Sequence, residues 1–176
     1  MIDIVIRQEE EKDYELVKEL TYNAFKNEVH TDGDEHNLIG RLRNSDNFVK
    51  ELSLVALKDK EIIGHIMATR LDIKGVNKTH VSLAIAPLSV DPRYQKMGVG
   101  SKLIKEIFEI AKKLGYESAF VLGSEVYYPK FGFKESLDFD LKSPFDVPSE
   151  NFMAIELKPN SLENVDGDII FAKEFF

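Results

Sequence analysis

Leu83-Ala-Ile-Ala-Pro-Leu-Ser-Val-Asp-Pro-Arg-Tyr-Gln-Lys-Met-Gly-Val-Gly100 runs from an apolar strand through a Gln-x-x-Gly-x-Gly turn into the start of an amphipathic helix. The first amides of a helix have no intrahelical acceptor and sit at the positive end of its dipole, so this order builds an anion-binding pocket from backbone alone. Gly98 and Gly100 carry no side chain that would hold a diphosphate away. Val99, Leu103, Ile107, Ile110 and Leu114 then recur at helical spacing until Gly115 supplies a stop. Residues 117–122 are a second apolar strand, so 81–122 reads as a βαβ unit holding two parallel strands. Pro87 interrupts the first of them, and a proline inside a strand marks an edge or a bulge.

Outward from this unit, residues 2–8 read as a strand and 9–25 as a helix with Tyr14, Val17, Leu20, Tyr22 and Phe25 near helical spacing. Asp32-Gly33-Asp34 breaks it, and a shorter helix over 36–43 turns Leu38, Ile39 and Leu42 inward. Strands over 52–57 and 62–72 are joined by Lys58-Asp59-Lys60-Glu61, a connection of hairpin length. Residues 134–151, with Pro144 and Pro148, have no periodicity, as in functional or mobile loops. A strand over 152–157 follows, and Asp166-Gly167 reads as a hairpin turn into an edge strand over 169–171. There is no internal repeat. The expected organisation is one α/β domain over 1–176, with its core over about 2–158 and a terminal strand or hairpin over 159–176.

Composition narrows the function. With 43% apolar and 31% charged residues the chain is that of a soluble globular protein. The amino-terminal residues 1–7 have neither the basic start nor the cleavage region of a signal peptide, and no apolar run is long enough to span a bilayer, so a cytoplasmic location without membrane contact is expected. The absence of cysteine removes disulfides, thiolate zinc sites and a cysteine nucleophile together. A net charge of −8 argues against nucleic acid as a partner. His30, His36, His65 and His80 make no metal-binding spacing, and Ser101 and Ser124 lack a Gly-x-Ser-x-Gly context.

Other nucleotide motifs fail on the glycine turn. Leu103 stands where the dinucleotide fingerprint needs a third glycine, and no Gly-Lys-Ser/Thr follows. Some thirty residues downstream comes Tyr128-Pro-Lys-Phe-Gly-Phe133. A Gln/Arg-x-x-Gly-x-Gly/Ala turn followed after the next strand by Tyr-x-x-x-Gly-Phe resembles the GNAT superfamily of N-acetyltransferases. The wider wording, residues 83–90 and Val121-Leu-Gly-Ser-Glu-Val-Tyr-Tyr-Pro-Lys-Phe-Gly-Phe133, is similar to its YhbS-like subgroup.

That resemblance implies a central mixed sheet with a splayed parallel strand pair, helices on both faces, and acetyl-CoA as co-substrate without a metal. By resemblance, Leu88, Ser89 and Val90 line the pantetheine arm, with the Leu88 amide near the thioester oxygen, where an oriented donor stabilises developing negative charge. Gln95, Lys96, Met97, Gly98, Val99, Gly100 and Ser101 surround the diphosphate. Met97 stands where the superfamily often has a basic residue, and Lys96, Arg93 or Lys102 are the cations at hand to replace it. Tyr128 matches the tyrosine beside the CoA sulfur, where a phenol can give a proton to the leaving thiolate. Tyr127 is its neighbour and alternative.

The implied reaction is acetyl transfer to a primary amine, on a small molecule or a peptide, by direct attack in a ternary complex. The general base is left open among Glu28, His80, Ser82 and Glu125. The rival readings are an acyl-CoA-binding sensor or partner module without turnover, and a mononucleotide-binding fold. A second copy of the chain is a further partner to consider.

Overall fold

The computed structural model describes residues 2–29 and 31–176. Its frame is an eight-stranded sheet built outward from the long central strands. β1 (Val5–Gln8), β2 (Phe48–Lys58), β3 (Glu61–Lys74) and β4 (Thr79–Val90) form an antiparallel meander. Asp59 and Lys60 join β2 to β3 with φ of 47° and 71°, the left-handed pair that a two-residue hairpin loop requires. β5 (Ser118–Leu122) lies parallel to β4 after the crossover helix α3 (Val99–Lys113), as the βαβ reading predicts. β7 (Phe152–Glu156) pairs antiparallel with β5, and β6 (Lys134–Glu135) pairs with β7. The strand order is β1-β2-β3-β4-β5-β7-β6.

The remaining strand departs from expectation. β8 (Asp168–Ile170) does not fold back as a hairpin on the strand before it; it crosses to β3, with Ile170 opposite Asp72 and Asp168 opposite Lys74. The partner is chosen by a free edge. β2 last pairs with β3 at Phe48↔Thr69, so the end of β3 needs a second neighbour. Gly167 makes the approach close, because a Cβ there would collide with the backbone of Lys74 and Gly75.

Strand alternation divides the core. Leu54 and Ala56 of β2, Leu83 and Ile85 of β4, and Ala119 and Val121 of β5 pack with Val99, Leu103, Ile104 and Ile107 of α3. Val55 and Met67 face the other way, onto Val17 of α1 (Tyr14–Phe25) and Ile39 and Leu42 of α2 (Glu35–Arg43). Helices therefore cover both faces. Beyond them Leu71, Ile73, Phe120 and Phe152 are covered by irregular chain through Leu141, Leu162, Val165 and Phe171, and by Ile169 of β8. From residues 159–176, Leu162, Val165, Ile169, Phe171 and Ala172 are buried.

The expected helix over 9–25 begins at Tyr14 because acidic side chains take over its first turn. The Asp13 carboxylate accepts the Glu10 amide at 2.8 Å and pairs with Arg7 at 2.7 Å, bounding a short 3-10 turn over Glu11–Asp13. Glu9 turns inward instead and is buried. It meets Arg43 of α2, accepts from the Ser53 hydroxyl at 2.7 Å, and lies 3.6 Å from His65 Nε2, while its own amide donates to Ser53 O at 2.8 Å. Arg43 stacks 3.8 Å from the centre of the Tyr14 ring. One buried carboxylate thereby ties β1, β2, β3 and α2 together. No helix among the described residues is long and apolar enough to cross a membrane.

Candidate active site

The parallel pair is barely paired. Among the described residues, β4 and β5 are in register only at Ala84↔Phe120, with no paired position beyond it toward their carboxyl ends. β4 bulges just there. Its register with β3 moves from Ala68↔Ile85 to Ile66↔Leu88, so Ala86 and Pro87 together oppose Met67, which is where a proline without a donor is tolerated. The extra residue reverses the alternation, and Leu83, Ile85, Leu88 and Val90 all face the α3 side. The Asp91 amide donates to Ile63 O of β3 at 2.9 Å. Since successive amides point to opposite edges of a strand, those of Leu88 and Val90 point away from β3, into the opening. Ser89 differs from the sequence expectation: its buried hydroxyl donates to Thr21 of α1 at 3.2 Å, so its side chain lies on the other face.

The chain then curls into α3. Asp91 accepts the Arg93 amide at 2.9 Å and starts a 3-10 turn over Pro92–Tyr94. The Arg93 guanidinium is held by Asp91 and Glu61, which raise its pKa, so this cation is committed to carboxylates and is a poor substitute for a base at position 97. Gln95 donates to Val90 O at 3.1 Å and braces the turn against β4. Lys96 and Gly98 are left-handed, with φ of 64° and 86°, and Met97 lies half exposed between them. The Lys102 amide returns to Gly98 O at 3.1 Å, while those of Val99, Gly100 and Ser101 precede the helical acceptors.

The two glycines serve different ends. A Cβ on Gly98 would touch nothing, so that position needs glycine for its backbone angle. A Cβ on Gly100 would sit 2.5 Å from the Tyr127 hydroxyl and 3.8 Å from Leu88 Cδ2. Gly100 therefore makes room for a phenol, a reason the sequence reading did not include.

The aromatic segment closes the opening from the β5 side. The Ser124 hydroxyl accepts the amides of Val126 at 3.2 Å and Tyr127 at 3.1 Å, starting the turn that ends in a 3-10 segment, Tyr128–Phe131. The Tyr128 ring covers Gly123, where any Cβ would strike it, and stands edge-on to Tyr127 and Phe133 at 5.1 and 5.6 Å. Burial, and after it the neighbouring Tyr127, pushes the Tyr128 pKa above the ordinary phenol value, so the group stays a neutral donor. Burial also raises the pKa of Tyr127, against a smaller opposing effect of the nearby Ser101.

The four candidate bases are scattered. His80 and Ser82 lie eight and six residues before Leu88 on an extended strand, roughly 20 Å or more from it. The Ser82 hydroxyl is bonded to Ser118 Oγ at 2.7 Å across β4 and β5, and His80 Nδ1 is buried. Neither can reach an atom held near Leu88. Glu28 is exposed after α1. Glu125 follows β5 directly, and Asn151 Nδ2 donates to it at 2.8 Å and to Gly123 O at 3.1 Å. His30 lies outside the described residues, among which no group of three or more His, Cys, Asp or Glu is placed to hold a metal.

The model of the acetyltransferase (GNAT) family matches residues 8–133. The chain is 36% identical over 118 residues to YjhQ of Escherichia coli K12, named an uncharacterized N-acetyltransferase; the match covers 66% of this chain and 65% of that relative, just under two thirds of its length. Among solved structures, the GNAT family N-acetyltransferase YhbS from Escherichia coli in complex with CoA superposes with a TM-score of 0.89 at 25% identity, over 99% of this chain and 93% of the other. A GNAT family acetyltransferase from Brucella melitensis in complex with acetyl-CoA gives 0.80 at 27% identity over the full length of both.

Proposed function

The chain belongs to the acetyltransferase (GNAT) family, and from that premise we propose that it moves an acetyl group from acetyl-CoA to a primary amine by direct attack in a ternary complex. The observation that carries this reading is the single-register pairing of β4 with β5, which leaves an opening flanked by the start of α3 and by Tyr128. A fold that needed only stability would pair these strands throughout. The donor set also fits the ligand: the amides of Val99, Gly100 and Ser101 suit a diphosphate, and those of Leu88 and Val90 suit an extended pantetheine arm lying like an added strand.

In this reading the Leu88 amide donates to the thioester oxygen as charge gathers on it, an effect worth about 3–4 kcal/mol. The amine nitrogen forms the new bond to the carbonyl carbon, the carbon–sulfur bond breaks, and Tyr128 gives its proton to the departing sulfur. The surplus amine proton leaves to Glu125, directly or through water. Support for Glu125 is its position after β5 and the Asn151 hydrogen bond that holds it.

Calorimetric titration with acetyl-CoA, followed by thiol release in the presence of polyamines, aminoglycosides, amino acids and lysine peptides, tests the reading. Expected are saturable binding and acceptor-dependent thiol release. No binding at high micromolar concentration refutes the family function for this chain. Binding without thiol release for any amine favours the non-catalytic module instead.

A further inference from the structure

Resting on that functional reading, we propose that Tyr127 is itself an acyl-CoA contact, its hydroxyl donating to a phosphate oxygen of the diphosphate, so that the adjacent tyrosines divide the ligand between them. The inference comes from what converges over Gly100. The Tyr127 hydroxyl occupies the space a Cβ would take, and the Leu88 side chain borders the same space. One oxygen thus stands where the head of α3, the bulged strand and the aromatic turn meet. Tyr128 is differently placed, its ring lying over Gly123 at the end of β5.

Three properties suit the Tyr127 hydroxyl to an anion. The ring is gripped edge-on by Tyr128 at 5.1 Å and Phe131 at 5.2 Å, so little side-chain freedom is left to lose. The phenol carries a proton to donate at neutral pH. A charged phosphate oxygen is a better acceptor for it than a neutral hydroxyl or water, because hydrogen bonds to ions are the stronger. Gln95 and Arg93 are already engaged, Gln95 with Val90 O and Arg93 with Asp91 and Glu61.

Calorimetry of CoA binding to wild type, Tyr127→Phe and Tyr128→Phe tests the division. Tyr127→Phe keeps the ring and should weaken CoA about tenfold or more, as loss of a hydrogen bond to a charged group does, while Tyr128→Phe, which removes a donor to sulfur rather than to a charged oxygen, should cost much less. Gly100→Ala reads the geometry without ligand: it should lower the unfolding midpoint in wild type and cost less in the Tyr127→Phe background, where the colliding oxygen is gone. Unchanged CoA affinity in Tyr127→Phe, an equal loss in Tyr128→Phe, or a Gly100→Ala cost that Tyr127→Phe does not relieve overturns the inference alone. Wild-type protein that takes up no CoA overturns the functional reading on which it rests.

Discussion

Tyr127 and Tyr128 share a backbone turn, yet their surroundings differ. Tyr128 has the more enclosed phenol, and burial sets its pKa above the ordinary value of about 10. A general acid of that kind remains protonated through the whole neutral and mildly alkaline range, so it places no alkaline limb on turnover below about pH 10. Tyr128→Phe is therefore expected to lower kcat by about 100-fold at every pH between 6 and 9 without moving the shape of the profile. Steady-state rates across that range check it; a fall in wild-type kcat near pH 8 that the variant abolishes contradicts the assignment.

Among the elements, α2 shows how much of the frame hangs on one side chain. Burial opposes ionisation of Glu9, but the adjacent His65 and the hydrogen bonds from Arg43 and Ser53 outweigh it and hold the carboxyl at about 2, below its ordinary 4.5. Since the folded-state value is the lower, the ionised group stabilises the fold above about pH 4.5, and that contribution is lost as pH falls from there toward 2. At roughly 1.4 kcal/mol per unit the contribution is about 3 kcal/mol. Glu9→Gln should lower stability by about that amount at pH 7 and by much less at pH 3, as urea titrations at the two pH values would show; an equal cost at both contradicts it. Nothing local in Gln8-Glu9-Glu10-Glu11 announces this burial, because the run reads as a solvated helix start and Arg43, the partner, comes 34 positions later. Elements whose signals are local were legible: the glycine turn before α3, Pro87 at the bulge, and the hairpin connection between β2 and β3. Readings that depended on distant neighbours were not, among them the partner of β8, the inward turn of Ser89 and the occupant of the space over Gly100.

Across the whole molecule, the last residues close the core rather than trail from it. Ile169, Phe171 and Ala172 are buried, and they cover Leu71, Ile73, Phe152, Val55 and Met67 in two of the three clusters. At about 1.5–3 kcal/mol for each large side chain, their loss takes a substantial share of a domain stability of about 5–15 kcal/mol. Removing residues 168–176 should shift the urea midpoint far down or abolish the cooperative transition, and a truncated chain that melts like the parent contradicts that. The register that places Ile170 beside Asp72 also has a consequence in time. A ribosome adding about 5–20 residues per second takes about 5–20 seconds to pass from the one to the other, and for that interval the end of β3 is a naked strand edge. Its sequence answers the exposure: Arg70, Asp72 and Lys74 alternate with Leu71 and Ile73, so any stranger that pairs with this edge during synthesis must align against a row of charges.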